Sequence, residues 1–526
     1  MSNKQINFMK KTYNFWLLFA LLAMVACNDD DNNDVLVEEE VVATPGSADF
    51  SNYVSLGNSL TAGFADGALF IQGQEGSYPY ILSEQFALAG GGEFKIPLMN
   101  DNLGGVLLGG QQILENRLVL AQTPNGLLPS RIAGSPTTDI TNVLSGPFNN
   151  MGVPGAKSFH LLAPGFGNVA NVQLGKANPY FVRFASSPNA TVFQDAIAQN
   201  PTFFSLWIGN NDVLGYALSG GTGIDQTGNL DPTTYGANDI TDGNVFASVY
   251  NTLLTGLTAQ GAKGVVANIP DVFTIPFFTT VPNNALVLDA SQAASLTGFF
   301  QAFSGIFAQG LIQQNVPPQQ AAQLASQYAF TFTAGPNRFL IAVPASQSNP
   351  LGLRQMTANE LLLLTIDQNA LRTQGYGSVA ITNDVLQVLG LLQQGGTPTL
   401  QQAQLVLAAA NPIQDKDVLD TDELQTISNA TAQYNATIQA LAQQFDLAFV
   451  DAKAAQLQVL NGGIPFDGGV MKQPLVSGGT FSLDGIHPTP RGYALIANAF
   501  IRSINAKYGS TLPEVKLIGF NTLILP

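Results

Sequence analysis

Four short apolar runs set the fold class of this chain. Residues 53–56 stop at Gly57, 203–208 at Gly209, 264–269 at Pro270 and 447–450 at Asp451. Each run is too short for a helix and is ended by a residue that breaks regular structure, as a strand buried on both faces would be. Helix-like stretches lie between and after them. The clearest is 492–508, where Leu495, Ile496, Ala499, Phe500 and Ile504 recur at three- and four-residue spacing. Strands alternating with helices predict an α/β fold built on a parallel sheet. In such a fold, functional residues collect at the carboxyl ends of the strands.

The third and fourth runs are far apart in sequence. Segment 291–330 is rich in Ala, Gln and Phe, and segment 384–411 in Leu, Gln and Ala; both read as amphipathic helices. No repeat of 20–50 residues is present, so a solenoid is excluded. The 526 residues exceed what one core usually holds. A large, mostly helical insertion at about 278–440 is therefore expected, either as a cap over a site or as a passive expansion of the core. Composition supports a large buried interior. Charged residues are 11% and hydrophobic residues 46%, against about 25% charged in an ordinary domain. Global disorder is thereby excluded. The net charge of −16 argues against a nucleic-acid partner, whose phosphates need a basic face. A single cysteine excludes a disulfide scaffold or a cysteine-based zinc site, and two histidines exclude a histidine-rich metal site.

The amino terminus reads as an address. Lys4, Lys10 and Lys11 precede an apolar run at 15–26 that is too short to span a bilayer and fits a secretory signal. It ends Met24-Val25-Ala26-Cys27, and Cys27 is the only cysteine. This resembles a bacterial lipobox, with Met24 where Leu is usual; the alternative is a plain signal peptide with an incidental cysteine. The resemblance implies a signal peptide at 1–26, lipidation of Cys27 and a membrane partner through that lipid. Residues 27–47 carry Asp29, Asp30, Asp31 and Asp34, then Glu38, Glu39 and Glu40. Like charges keep such a segment extended. It is either a solvated tether or, as it also resembles, the acidic export tag of Bacteroidetes surface lipoproteins. The latter implies an outer-membrane, surface-exposed location. The remaining chain, 48–526, is expected to be one enzymatic domain with the insertion.

Four segments carry chemistry, each at a strand end or a helix start. Gly57-Asn58-Ser59-Leu60 follows the first run. A Ser on a Gly-flanked turn there is exposed to attack a substrate, and its own N–H can stabilise an oxyanion; the bland alternative is a helix cap. Asn150-Met151-Gly152-Val153-Pro154-Gly155 is a bend able to present a free backbone N–H, or an ordinary turn. Gly209-Asn210-Asn211-Asp212 puts a side-chain amide at a strand end, where it can donate to developing charge or simply cap. Asp484-Gly485-Ile486-His487 completes the set. A serine nucleophile needs a base, and only His160 and His487 exist. His160 sits among apolar neighbours and reads as structural. His487 has a carboxylate three residues before it that can orient the imidazole. Asp451, at the end of the fourth run, is a rival acid or a helix cap.

In this order the four segments resemble the SGNH (GDSL) hydrolase family. The resemblance implies a flavodoxin-like three-layer α/β/α domain and a serine esterase or lipase. Ser59 would be the nucleophile, His487 the general base and Asp484 its orienting acid. The oxyanion hole would be the Ser59 N–H, the Gly155 N–H and the Asn211 side chain. Neither a metal nor an organic cofactor is needed for this chemistry. The substrate would be a lipid or short-chain ester, or alternatively an acylated glycan. A surface-binding lipoprotein without catalysis is the competing class. The chain departs from the family pattern at Asn58, where the family has Asp, and at Lys157, where a small hydroxyl residue is commoner.

Overall fold

The computed structural model describes residues 42–123 and 126–525. The expected signal peptide at 1–26, Cys27 and the acidic residues up to Glu40 lie outside the described residues.

Five parallel strands form the central sheet: β1 (Tyr53–Gly57), β2 (Asn150–Gly152), β3 (Phe203–Trp207), β4 (Lys263–Ala267) and β5 (Ala448–Val450). Their spatial order is β2-β1-β3-β4-β5. Tyr53 pairs with Phe203, Phe203 with Lys263, and Val265 with Ala448. Four of these strands correspond to the four apolar runs. Ile208 and Ile269 fall just past the strands that precede them.

Side chains alternate between the two faces of the sheet. Val54, Leu56, Phe204, Leu206 and Val266 enter one core, and Tyr53, Phe203, Trp207, Val265 and Ala267 the other. Both faces are thus covered, which is why the strands read as continuous apolar runs rather than alternating ones. Eight helices matter below: α1 (Ser59–Ala62), α2 (Tyr78–Ala87), α3 (Asn211–Leu218), α4 (Gly243–Thr258), α5 (Ala290–Gln313), α6 (Thr421–Gln444), α7 (Ala452–Leu460) and α8 (Pro490–Tyr508). Phe246, Tyr250 and Leu253 of α4 and Tyr434 and Ile438 of α6 pack on the first face. Tyr78 and Ile81 of α2 and Tyr493, Phe500 and Ile504 of α8 cover the second. The molecule is a mixed α/β protein with a five-stranded parallel sheet flanked by helices.

Between β4 and α6 the chain builds cores of its own. Phe299, Phe300, Phe303 and Phe307 of α5 gather with Tyr328, Val385 and Val406. A second small core holds Phe339, Ile341, Met356 and Ile413. Helices at Pro318–Ser326, Asn383–Gln393 and Leu400–Ala408 contribute, as do short antiparallel pairs such as Leu340–Ala342 with Leu353–Gln355. This stretch combines helices with short antiparallel pairs. A second excursion, before β2, forms antiparallel pairs of Val106–Leu108 with Gln111–Leu114 and of Leu118–Thr123 with Gly126–Arg131. Among the described residues no helix is long and apolar enough to cross a membrane.

Candidate active site

The strand order reverses direction at β1, so the connections leaving β1 and β3 diverge at the carboxyl edge and open a crevice there. Ser59 sits at that point. It is the first residue of α1, two positions past Gly57, and is 7% exposed. Asn58 caps the helix: its Oδ1 accepts from the Leu60 N–H at 3.0 Å, and its Nδ2 donates to Asn210 Oδ1 at 3.2 Å. A carboxylate could accept from Leu60, but would bond Asn210 only with that amide turned to present its hydrogens. Asn58 therefore ties the end of β1 to the end of β3. Gly152 lets α1 approach β2, because a Cβ there would lie 2.4 Å from the Ala62 nitrogen.

His487 and Asp484 reach the site from the turn before α8. Thr489 caps α8 through the Gly492 N–H, and Pro490 occupies its first position. The turn is closed by the Ser482 N–H donating to the His487 carbonyl at 2.7 Å, with Gly485 at φ 72°. His487 Nε2 lies 2.9 Å from Ser59 Oγ, and His487 Nδ1 lies 2.8 Å from Asp484 Oδ2. Asp484 also accepts from the N–H groups of Ile486 and His487, from the Ser482 hydroxyl and from the Gly67 N–H. Burial alone would raise its pKa. The neighbouring imidazole and this set of donors outweigh burial and hold the carboxyl down at about 2. With Asp484 ionised, Nδ1 carries the imidazole proton and Nε2 accepts from Ser59. The Phe64 ring, 4.7 Å from the imidazole, closes one side.

Asp484 has a second layer of support that sequence reasoning missed. Asp66, held at φ 53°, accepts the Leu483 N–H at 3.0 Å, and its own N–H donates to Ser482 Oγ at 2.9 Å. Arg117 Nη1 stands 4.0 Å from its carboxylate. Burial raises the Asp66 pKa to about 6, with the Asp484 charge adding to the rise and the Leu483 bond and Arg117 opposing it. No motif marks Asp66, because Ser482 and Leu483, which it holds, are more than 400 positions away.

Ser59, Gly155 and Asn211, the three expected oxyanion donors, line a common cavity together with His487. Among the described residues, no acceptor is found for the Ser59 and Gly155 N–H groups. Gly155 has φ 80°, and a Cβ there would meet nothing within 4 Å. One hydrogen of the Asn211 amide is held by the Ala156 carbonyl at 2.9 Å, which orients the amide and leaves its second hydrogen free. Asp212 fixes the loop that carries Gly155. Fully buried, it accepts both the N–H and the hydroxyl of Ser158, at 2.8 and 2.7 Å. Lys157, also buried, donates to the Asp239 carbonyl at 2.6 Å. Burial lowers its pKa, and Asp212 and Asp239 oppose that fall.

The remaining candidates lie elsewhere. His160 accepts the Lys157 N–H and stacks on Phe166 with ring centroids 4.6 Å apart. Burial drops its pKa to about 4. Asp451 caps α7 through the Ala454 N–H and accepts from the Asn268 amide. The site's walls were also not anticipated. Ile113, Leu114, Glu115 and Arg131, from the hairpins before β2, line the cavity beside Gly155. A second cavity leaves Ser59 in the other direction, between α7 and α8. No residue from 276 to 449 lines either one. Among the described residues, no group of three or more His, Cys, Asp or Glu could hold a metal ion.

No family model matches the chain, and no curated protein matches it. Among solved structures the chain is similar to a catalytic mutant of an acetylxylan esterase from Geobacillus stearothermophilus. That likeness has 11% identity and a TM-score of 0.29, and covers 88% of this chain and 97% of that one. It is too distant to bear on the site.

Proposed function

We propose that this chain is a serine hydrolase of carboxylic esters, of the SGNH type, on a flavodoxin-like α/β/α domain. The observation that carries the proposal is the unbroken hydrogen-bond relay from Ser59 through His487 to Asp484. It ends beside two backbone N–H groups that have no acceptor among the described residues. The strand order 2-1-3-4-5 is that of the flavodoxin-like class, with the site at its β1/β3 switch point.

In this mechanism His487 Nε2 takes the Ser59 proton as Oγ attacks the ester carbonyl. The imidazolium is stabilised by Asp484. The tetrahedral oxyanion is held by the Ser59 and Gly155 N–H groups and the free hydrogen of the Asn211 amide. The C–O bond to the alcohol breaks, and His487 returns the proton to the leaving oxygen. Water, deprotonated by His487, then attacks the acyl-enzyme; the bond from the acyl carbon to Ser59 Oγ breaks, His487 returns the proton to Oγ, and the acid is released.

Residues between β4 and α6 are an insertion in this domain. It acts as an expansion of the fold rather than a lid, since it contributes no wall to either cavity at Ser59. Cys27 serves as a lipid anchor behind a signal peptide at 1–26, and the acidic segment as a tether to the outer membrane surface. A panel of p-nitrophenyl esters tested with wild type and Ser59→Ala decides the central point. Ser59-dependent hydrolysis, with fluorophosphonate labelling of Ser59, is the expected result. Hydrolysis of no ester and no labelling would instead favour a binding protein.

A further inference from the structure

The cavity between α7 and α8 begins at Ser59 and His487 and runs along α8 as far as Arg502. It arises from the way the two helices meet. On α8, Gly492, Leu495, Ile496 and Ala499 line it at helical spacing, joined by Phe500, which with Tyr493 and Ala497 also belongs to the core on the sheet. On α7 the facing stripe includes Ala452, Ala455 and Val459. Ala452, Ala455 and Ala499 stand where apposed helices would normally interdigitate larger side chains, so an apolar slot stays open between them.

Its wall is mostly apolar; some of its polar groups are tied into the fold, while the Thr480 hydroxyl is buried there with no partner. Gln456 Oε1 accepts the Asp271 N–H at 2.7 Å, and the Asp271 carboxylate accepts the Phe273 N–H at 3.0 Å. Trp207 Nε1 donates to the Asn268 carbonyl at 3.0 Å. A ligand in the slot therefore meets a mostly apolar surface. That favours a chain of methylenes and disfavours a sugar, most of whose hydroxyls would find no partner.

We propose that this slot is the acyl-chain subsite of the enzyme, and that it selects esters of medium-length fatty acids. The inference rests on the Ser59 hydrolase proposal. The cavity beside Gly155, with Arg131 and Glu115 on its wall, then receives the alcohol. The slot also sets a length. Gly492 to Arg502 advances roughly 15 Å along α8, enough for an extended chain of about 12 carbons before the Arg502 guanidinium is met. Arg502 is partly exposed and paired with Glu514, so the far end is charged. A longer chain would have to carry its methyl end into that charged mouth.

The test is the ratio of kcat/KM for p-nitrophenyl decanoate over p-nitrophenyl acetate, measured on the full chain, with the palmitate ester as the long extreme. The wild type is expected to favour decanoate over both acetate and palmitate. Ala499→Trp on α8 and Ala455→Leu on α7, which fill the slot from opposite walls, are each expected to lower the decanoate-to-acetate ratio about tenfold. Calorimetric titration of decanoate gives a readout that needs no turnover. Ser59→Ala should bind it, and Ser59→Ala/Ala499→Trp should not. A flat chain-length profile, or a ratio unmoved by both variants, overturns the acyl slot and leaves the Ser59 hydrolase standing. If no ester is cleaved, the hydrolase proposal falls, and the titration alone decides the slot: decanoate binding abolished by Ala499→Trp supports it, and absence of binding by Ser59→Ala overturns it.

Discussion

Replacing Asp484 by Asn changes one oxygen for an NH₂ group and leaves shape almost untouched, so its effect can be worked out from the partners of each carboxylate oxygen. Oδ1 accepts from the N–H groups of Ile486 and His487 and from the Ser482 hydroxyl. Oδ2 accepts from the Gly67 N–H and from His487 Nδ1. An amide nitrogen at the first position would face two backbone donors that cannot turn away. At the second it faces one, Gly67, and an imidazole nitrogen that can exchange roles. The NH₂ therefore settles at the Oδ2 position. The Gly67 N–H loses its acceptor, costing about 1–3 kcal/mol of stability. More consequentially, Nδ1 must now accept, so the imidazole proton moves to Nε2 and points at Ser59 Oγ. The base is then blocked by its own hydrogen. Loss of the correct tautomer lowers kcat about 10⁴-fold in a triad of this kind, or about 5 kcal/mol of barrier. The assay is the acylation rate of Asp484→Asn on an activated ester, with nitrogen NMR of the imidazole to read the tautomer. A rate within tenfold of wild type, or an inactive variant whose Nδ1 is still protonated, would refute the reasoning.

Asn211→Ala removes the one side-chain donor of the proposed oxyanion hole and is expected to lower kcat by about 100- to 1,000-fold with KM little changed; steady-state kinetics on a p-nitrophenyl ester checks this, and a KM effect alone would assign Asn211 to substrate binding. Asp66 gives a pH signature of stability. Its folded pKa of about 6 exceeds the ordinary 3.8, so the native state holds a proton that the unfolded chain releases between those values. Its contribution is fully present below 3.8 and is lost as pH rises through about 6, a change of about 3 kcal/mol. Asp66→Asn, which tolerates the left-handed backbone there, should flatten that part of the urea-midpoint profile; an unchanged slope would assign the titration to another group.

What the sequence displayed and what it hid divide along a physical line. β1, β3, β4 and β5 were legible because each is buried on both faces and must be apolar at consecutive positions. β2 was not, since it is three residues long and Asn150 is one of them. That residue is buried because its side chain donates to the Thr61 carbonyl and accepts the Gly152 N–H, so hydrogen bonding does there what hydrophobicity does elsewhere. The same distinction runs through the site. Asp484 and His487 lie three residues apart on one turn, and that local relation is written in sequence. Asp66 and Ser482 meet across the fold, and so do Asp212 and Ser158. Each is an ordinary polar residue in an ordinary turn until the chain closes. Asn58 shows the limit from the other side. Its identity looked like a charge lost from a motif, yet its amide bridges Leu60 and Asn210 with one acceptor and one donor. A carboxylate would make the second bond only with the Asn210 amide turned to donate. The residue that departs from the pattern is thus the one whose chemistry suits the turn that holds Ser59, and the reason is visible only once β1 and β3 are neighbours.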